Sequence, residues 1–342
     1  VFVTSLTAYF IIRGLVAFHG TSFLVLGAAV VGDIYEPTAR ATAISWVLFG
    51  GLMGPAFGPL VGGIIITYQP WWVIFALQAG LAGIAFILAL LFLPETIHYR
   101  RDKELEGLKF KQRISKIWTW TNPARLIDLC SDAGIIIVAL ASSSIIWNMY
   151  ALLCPIRYVL NPRYGLSKPL ESALFYLAPG SGYLLGAVFG GRWSDYMLKK
   201  MIRKREGEFI PEDRLRATYV PLGMIIPGSI LVYGWAIKTE VGGIPVPVIA
   251  MFVQGVGQFF ALPSLNTYCL DVMPSRSAEV IALNYMLRYL FAAVGTAAAL
   301  PIIESIGVGW LSVISSLFLI TTAGLVALTC RYGQIWRKGG VD

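Results

Sequence analysis

The stretch GGLMGPAFGPLVGG, from Gly50 to Gly63, lies inside an apolar run from Ala41 to Ile66. A helix over those 26 residues rises about 39 Å, enough to cross a bilayer with some tilt. Gly51, Gly54, Gly58 and Gly62 recur every third or fourth residue and so line one slowly winding stripe with no side chains to hold a neighbouring backbone away. Pro55 and Pro59 remove two helical N–H donors and free the carbonyls one turn earlier, which predicts a bend. A Gly-Pro pair repeated at Gly54-Pro55 and Gly58-Pro59 reads either as tight packing in a membrane bundle or as a bent helix at the seam of two bundles that move against each other.

Composition agrees with a membrane chain. Of 342 residues, 57% are hydrophobic and 13% charged, and the mean hydropathy is +0.70. Further apolar runs fall at 8–32, 71–94, 133–155, 173–198, 218–237, 245–270, 279–302 and 307–330, which with 41–66 predicts nine transmembrane helices in an all-α integral membrane protein. If the loop 98–131 is cytoplasmic, alternation puts most Lys and Arg on that side, against Arg157, Arg163, Lys168 and Lys238 on the other, as the positive-inside rule requires. The net charge of +8 is thereby explained without nucleic acid. Cys130, Cys154, Cys269 and Cys330 are scattered with no CxxC, so neither a metal site nor a disulfide framework is expected. No cofactor pattern is read.

An internal repeat sets the expected architecture. GDIYEPTARATAI after the first span matches LDVMPSRSAEVIAL after the seventh, each with an Asp (Asp33, Asp271), a Pro (Pro37, Pro274) and an Arg (Arg40, Arg276) before a helix start. Spans one to three then pair with spans seven to nine, and a six-plus-six design is expected of which about three N-terminal helices lie outside this sequence. Residues 1–97 are read as the remnant of an N-terminal lobe, 98–131 as a cytoplasmic linker and 132–342 as a C-terminal six-helix lobe with its tail. Within the linker, Leu105, Leu108, Ile114, Ile117 and Trp118 among basic residues suit a helix lying in the headgroup region.

These stretches resemble the major facilitator superfamily, and within it the twelve-span drug:proton antiporters of fungi. Residues 50–63 look like the antiporter motif of the fifth helix, and Arg13 with Ala17, Phe18 and Gly20 resembles the fourth-helix motif, with His19 beside the Gly. LPET at 93–96 is similar to the end of the sixth helix. GAVFGGRWSD at 186–195, followed by Lys199 and Lys200, is similar to the helix-end motif that gates the cytoplasmic side. PEDRL at 211–215, LNTYCLD at 265–271, the run 284–293 and GVGW at 307–310 resemble the C-terminal half of the same group. The resemblance implies a major facilitator fold and transport of small organic molecules by alternating access, driven by protons.

Chemistry is expected where polar groups lie deep in apolar spans, because a charge facing lipid is costly. Arg288, with Asn284 and Tyr285 beside it, is the clearest such group and would attract an anionic group or a coupling carboxylate. Arg13 and His19 are candidates for proton coupling, the first through the resemblance and the second because imidazole exchanges protons near neutral pH. Trp147, Asn148 and Tyr150, with Gln254, Gln258 and Asn266 on the seventh span, suit amphipathic or cationic solutes, or alternatively glue helices together. Asp195 is expected to close the cytoplasmic side, paired with Arg192 or set against another helix's N-terminus, and Asp33, Arg40, Asp271 and Arg276 to act alike at the repeated loops.

The expectation is a monomeric, proton-coupled exporter of multidrug or polyamine-like solutes in the plasma membrane rather than the vacuolar membrane. A nutrient or organic-acid uptake carrier is the alternative. The chain has no GxxxxGK[ST] for ATP-driven export and, with two His and no Gly-x-Ser-x-Gly, little to serve a membrane-bound enzyme.

Overall fold

The computed structural model describes residues 5–96, 104–166 and 169–338. Among them all regular structure is helical, and nine segments are long and apolar enough to cross a membrane. The helices are α1 (Leu6–Ile34), α2 (Arg40–Tyr68), α3 (Trp72–Phe92), α4 (Phe110–Thr121), α5 (Arg125–Leu129), α6 (Ala133–Leu153), α7 (Asn161–Arg163), α8 (Pro169–Leu174), α9 (Leu177–Lys204), α10 (Ile226–Thr239), α11 (Pro245–Val272), α12 (Ser277–Ile306) and α13 (Val308–Lys338). Each predicted span is met by a helical segment, with two informative differences. The fourth extends past 155 through a π turn, Ile156–Leu160, to Arg163. The sixth begins at Pro211 rather than 218, because Pro211–Thr218 folds as a 3-10 helix and buries its charges in ion pairs.

The linker helix is shorter than the stretch that suggested it. α4 presents Phe110, Ile114, Ile117 and Trp118, all exposed, at the i, i+4, i+7, i+8 spacing of one helix face. Leu105 and Leu108 precede it, and residues 97–103 lie outside the described residues.

The core is built on α6, α9 and α11. Glycines on α9 make this packing close: a Cβ at Gly182 would overlap the carbonyl oxygen of Phe252, and one at Gly190 that of Phe259, so the α9 and α11 backbones touch. On the other side of α9, a Cβ at Gly191 would lie 2.7 Å from the carbonyl oxygen of Ala41 and from Cα of Thr42, which brings α2 against the same helix. Ser45 of α2 donates to the carbonyl of Ala187 at 2.9 Å. The expected small-residue stripe on α2 is open by comparison. Gly54 and Gly58 meet nothing within 4 Å among the described residues, whereas Gly51 faces Leu24 of α1. α2 runs unbroken through Pro55 and Pro59. α1 packs through its last turns, where Ala28 and Val31 are buried, and no residue of α3 is buried.

This contrast can be measured. Gly190→Ala must push α9 off α11 backbone, at a cost of about 1–3 kcal/mol or more. Gly54→Ala and Gly58→Ala meet no neighbouring helix among the described residues, and add only the local crowding of a Cβ against the following proline. Unfolding of the purified chain in mixed micelles should show the first to be the most destabilised of the three.

Candidate functional site

Two polar features stand out in this apolar bundle, and they lie at different depths. The first is at the basic-loop end, where α1 meets α2. α2 starts at Arg40 with no side-chain cap of its own at Ala39. The missing acceptor comes from α9: Asp195 accepts from the backbone N–H of Ala41 at 3.1 Å and of Thr42 at 2.9 Å, and from the Thr42 hydroxyl at 2.6 Å. A carboxylate there satisfies orphan donors and faces the positive end of the helix dipole.

Arg214 stands behind Asp195. It is completely buried, and its guanidinium reaches Asp195 at 3.5 Å, Asp271 at 2.8 Å and the carbonyl of Pro37 at 2.6 Å. Arg40 closes the ring, pairing with Asp271 and donating to the carbonyls of Gly32 (2.9 Å) and Tyr35 (3.2 Å). Two guanidinium groups and two carboxylates thus balance in charge, and Asp195, Arg214 and Arg40 each also hold backbone from a second element. Such a buried set depends on every member, since removing one partner leaves another charge uncompensated. The neighbouring residues of the same 3-10 helix extend the ties: Glu212 pairs with Arg337 of α13 at 3.3 Å, and Asp213 with Arg205 at 2.7 Å and Arg216 at 3.0 Å.

The second feature is Arg288, about 16 Å along α12 from its start at 1.5 Å per residue. It is 4% exposed. Its guanidinium lies 4.6 Å above the ring of Tyr285 and donates to Asn284 at 3.0 Å. Asn284 is itself held by Ser142 of α6 and Cys269 of α11, so the arginine is oriented from three helices. Nε of Arg288 is buried without a hydrogen-bond partner, and no ion pair reaches the guanidinium among the described residues. Arg288 lines a cavity of about 60 Å³ with Tyr150 of α6, Tyr285 and Tyr289 of α12, and Gly51 and Pro55 of α2. Through Leu24, Tyr285 and Tyr289 this cavity adjoins a wider cleft of about 960 Å³ between α1 and α12. The backbone N atoms of Pro55 and Pro59 carry no hydrogen, so the carbonyls of Gly51 and Pro55 have no helical donor on the wall facing Arg288.

The structure sorts the residues singled out from sequence. Tyr150, Tyr285 and Arg288 converge on the cavity, with Asn284 behind them. Gln254 donates to Gln258 at 3.2 Å, and Gln258 to Sδ of Met149, a residue of the cavity wall, at 3.6 Å. Trp147 and Asn148 are tied to Ser315 of α13, and Asn266 donates within its own helix to Leu262, so these three join or brace helices. Arg13 and His19 are exposed on α1 and are not among the residues lining the cavity. Arg192 is exposed and Asp195 turns instead to the α2 N-terminus. The two repeated loops are not equivalent: Asp271 and Arg40 enter the cluster, whereas exposed Asp33 accepts from Thr96 at 3.3 Å and Arg276 pairs with Glu279 at 2.6 Å. Arg214 is the residue that sequence reasoning missed. Three successive charges after a proline, Glu212-Asp213-Arg214, beside an apolar run were the available signal.

The described residues thus form a polytopic helical bundle with a buried charged cluster at one end and an oriented arginine in a cavity beyond it. The family profile described as Major Facilitator Superfamily matches residues 1–296, and the chain belongs to that superfamily. It is similar to the efflux pump radE of Floropilus chiversii, 26% identical over 98% of this chain and 64% of that protein. It is also similar to the MFS-type transporter hepF of Aspergillus oryzae, at 27% over 98% of this chain and 70% of the other. Dityrosine transporter 1 of Saccharomyces cerevisiae is 27% identical over 96% of this chain and 64% of its own length. The chain spans about two thirds of the length of these relatives. The family is one of transporters, and the names of these relatives are those of transporters.

The asymmetry of the loops gives a direct expectation. Arg214→Ala leaves one buried negative charge uncompensated, with Asp271 still paired with Arg40, and should cost about 3–5 kcal/mol of stability. Arg276→Ala breaks a partly exposed pair and should cost under about 1 kcal/mol. Titration with SDS, followed by tryptophan fluorescence, should separate the two by several-fold in free energy.

Proposed function

We propose that this chain forms part of a proton-coupled exporter of small organic molecules that works by alternating access in a fungal plasma membrane. In this reading α1 to α3 belong to one lobe and α6 to α13 to the other, with residues 98–131 as the cytoplasmic linker. The cluster of Asp195, Arg214, Asp271 and Arg40 joins the lobes at the cytoplasmic end, and the cavity at Arg288 lies between them. The observation that carries the reading is that α2, with its Gly-Pro repeat, contributes to both: its N-terminus is held by Asp195, and its Gly51 and Pro55 wall the cavity. Opening the latch must therefore move a wall of the binding site, which is the coupling that alternating access needs.

The name of the efflux pump among the relatives supports outward transport. Among the described residues no carboxylate lines the cavity, and the buried acids Asp195, Asp271, Glu212 and Asp213 all lie at the latch end. Multidrug and polyamine-like cargo both stay within this reading.

The test uses vesicles carrying the full open reading frame that encodes this chain, loaded with fluorescent aromatic solutes of either charge. Efflux of at least one solute should rise with an opposing proton gradient and fall at least about tenfold in Arg288→Ala, as expected for a lost charge-assisted contact. Gradient-independent counterflow of a sugar or amino acid, with no efflux of any dye, would instead establish a nutrient carrier.

A further inference from the structure

We propose that the group by which the cargo is recognised is a carboxylate, seated on Arg288, with its apolar or aromatic body in the cleft between α1 and α12. The proposal rests on the carrier reading of the same cavity. A guanidinium in a low-dielectric site carries its charge with it, and leaving that charge without a counter-ion costs several kcal/mol. No carboxylate among the described residues pairs with Arg288. Its guanidinium donates to a neutral amide, its Nε is buried without a hydrogen-bond partner, and the aromatic side chain it contacts is the uncharged Tyr285.

The latch shows what this protein does with a buried arginine that has only a structural task. Arg214 is as deeply buried, yet it is matched by two carboxylates and a carbonyl. Arg288 is held equally firmly, through Asn284, Ser142 and Cys269, but its charge is left open towards a cavity. A fork of N–H donors fixed in this way suits a planar carboxylate, which can accept two bonds at once.

The walls then set the rest of the molecule. Tyr150, Tyr285 and Tyr289 surround the arginine, and Phe18, Leu24 and Met286 line the adjoining cleft. Such a surface favours a flat apolar body over a sugar or a polyol. A cation of the same size would meet Arg288 with no acid among the described residues lining the cavity or the cleft. The cargo class is therefore an aromatic or aliphatic carboxylic acid in its anionic form.

The experiment measures equilibrium binding of three matched probes to the purified protein encoded by the full reading frame: 2-naphthoate, naphthalene-2-carboxamide and 2-naphthylmethylammonium. The carboxylate should bind about tenfold or more tightly than either of the others, and Arg288→Gln should reduce it to the level of the amide, a loss of about tenfold to a hundredfold. Arg288→Lys should retain part of the preference, because the charge stays and the planar fork is lost. Equal affinities, a preference for the ammonium, or no carboxylate binding in the unaltered protein would overturn the proposal, and that comparison does not depend on any variant folding. Failure of the underlying reading looks different. Selective carboxylate binding without gradient-driven movement in vesicles would leave the anion site standing and remove the exporter. Gradient-driven efflux of a cationic or neutral dye, with no carboxylate preference, would do the reverse.

Discussion

Asp195 holds a helix that is not its own. α2 begins without a capping side chain, and the orphan N–H groups of Ala41 and Thr42 are satisfied by a carboxylate projecting from α9. The rest of the arrangement depends on this contact, because α2 is the element that walls the cavity further along. One carboxylate would be weak support if it faced water. Here it is backed by a buried guanidinium, Arg214, that also binds Asp271 and the Pro37 carbonyl, so the capping interaction forms in a desolvated setting where each charge requires the others.

The apolar packing makes this polar ring geometrically available. Gly191 lets the N-terminal turn of α2 approach α9 closely enough for Asp195, four residues on, to reach two successive N–H groups. Gly182 and Gly190 do the same for α11, which carries Asp271 at its far end. Close backbone approach and the charged latch are thus one construction: the glycines set the distance and the charges set the register. Arg288 belongs to the opposite kind of environment, held rigidly but left without a counter-charge.

Much of this could be read from residues alone, for reasons that differ by feature. Long apolar runs fix the spans because a bilayer demands about 20 apolar residues per crossing, and a lone Arg288 within one of them is conspicuous for the same reason. Asp195 was recognisable at its helix end, but whether it met Arg192 or a distant helix start depends on which face of α9 packs, which a single helix does not reveal. The loop repeat suggested four equivalent charges. Only Asp271 and Arg40 are brought to the cluster, because Arg214 arrives between them from a segment read as a loop. Amides are the least legible residues: Asn148 and Asn284 look alike in sequence, yet one ties α6 to α13 and the other positions an arginine. The Gly-Pro repeat of α2 drew attention to a glycine stripe, whereas the closest backbone contacts are made by glycines of α9.

We propose that the Asp195–Arg214–Asp271–Arg40 cluster keeps the basic-loop end of the bundle shut. Spin labels at Ala39→Cys and Lys199→Cys, both exposed positions flanking the cluster, with the exposed native Cys130 replaced by Ser, report that end directly by pulsed dipolar spectroscopy. A single narrow distance distribution that broadens and lengthens in Arg214→Ala is the predicted result. A distribution unchanged by Arg214→Ala would mean that apolar packing alone closes this end, and the latch would lose its role.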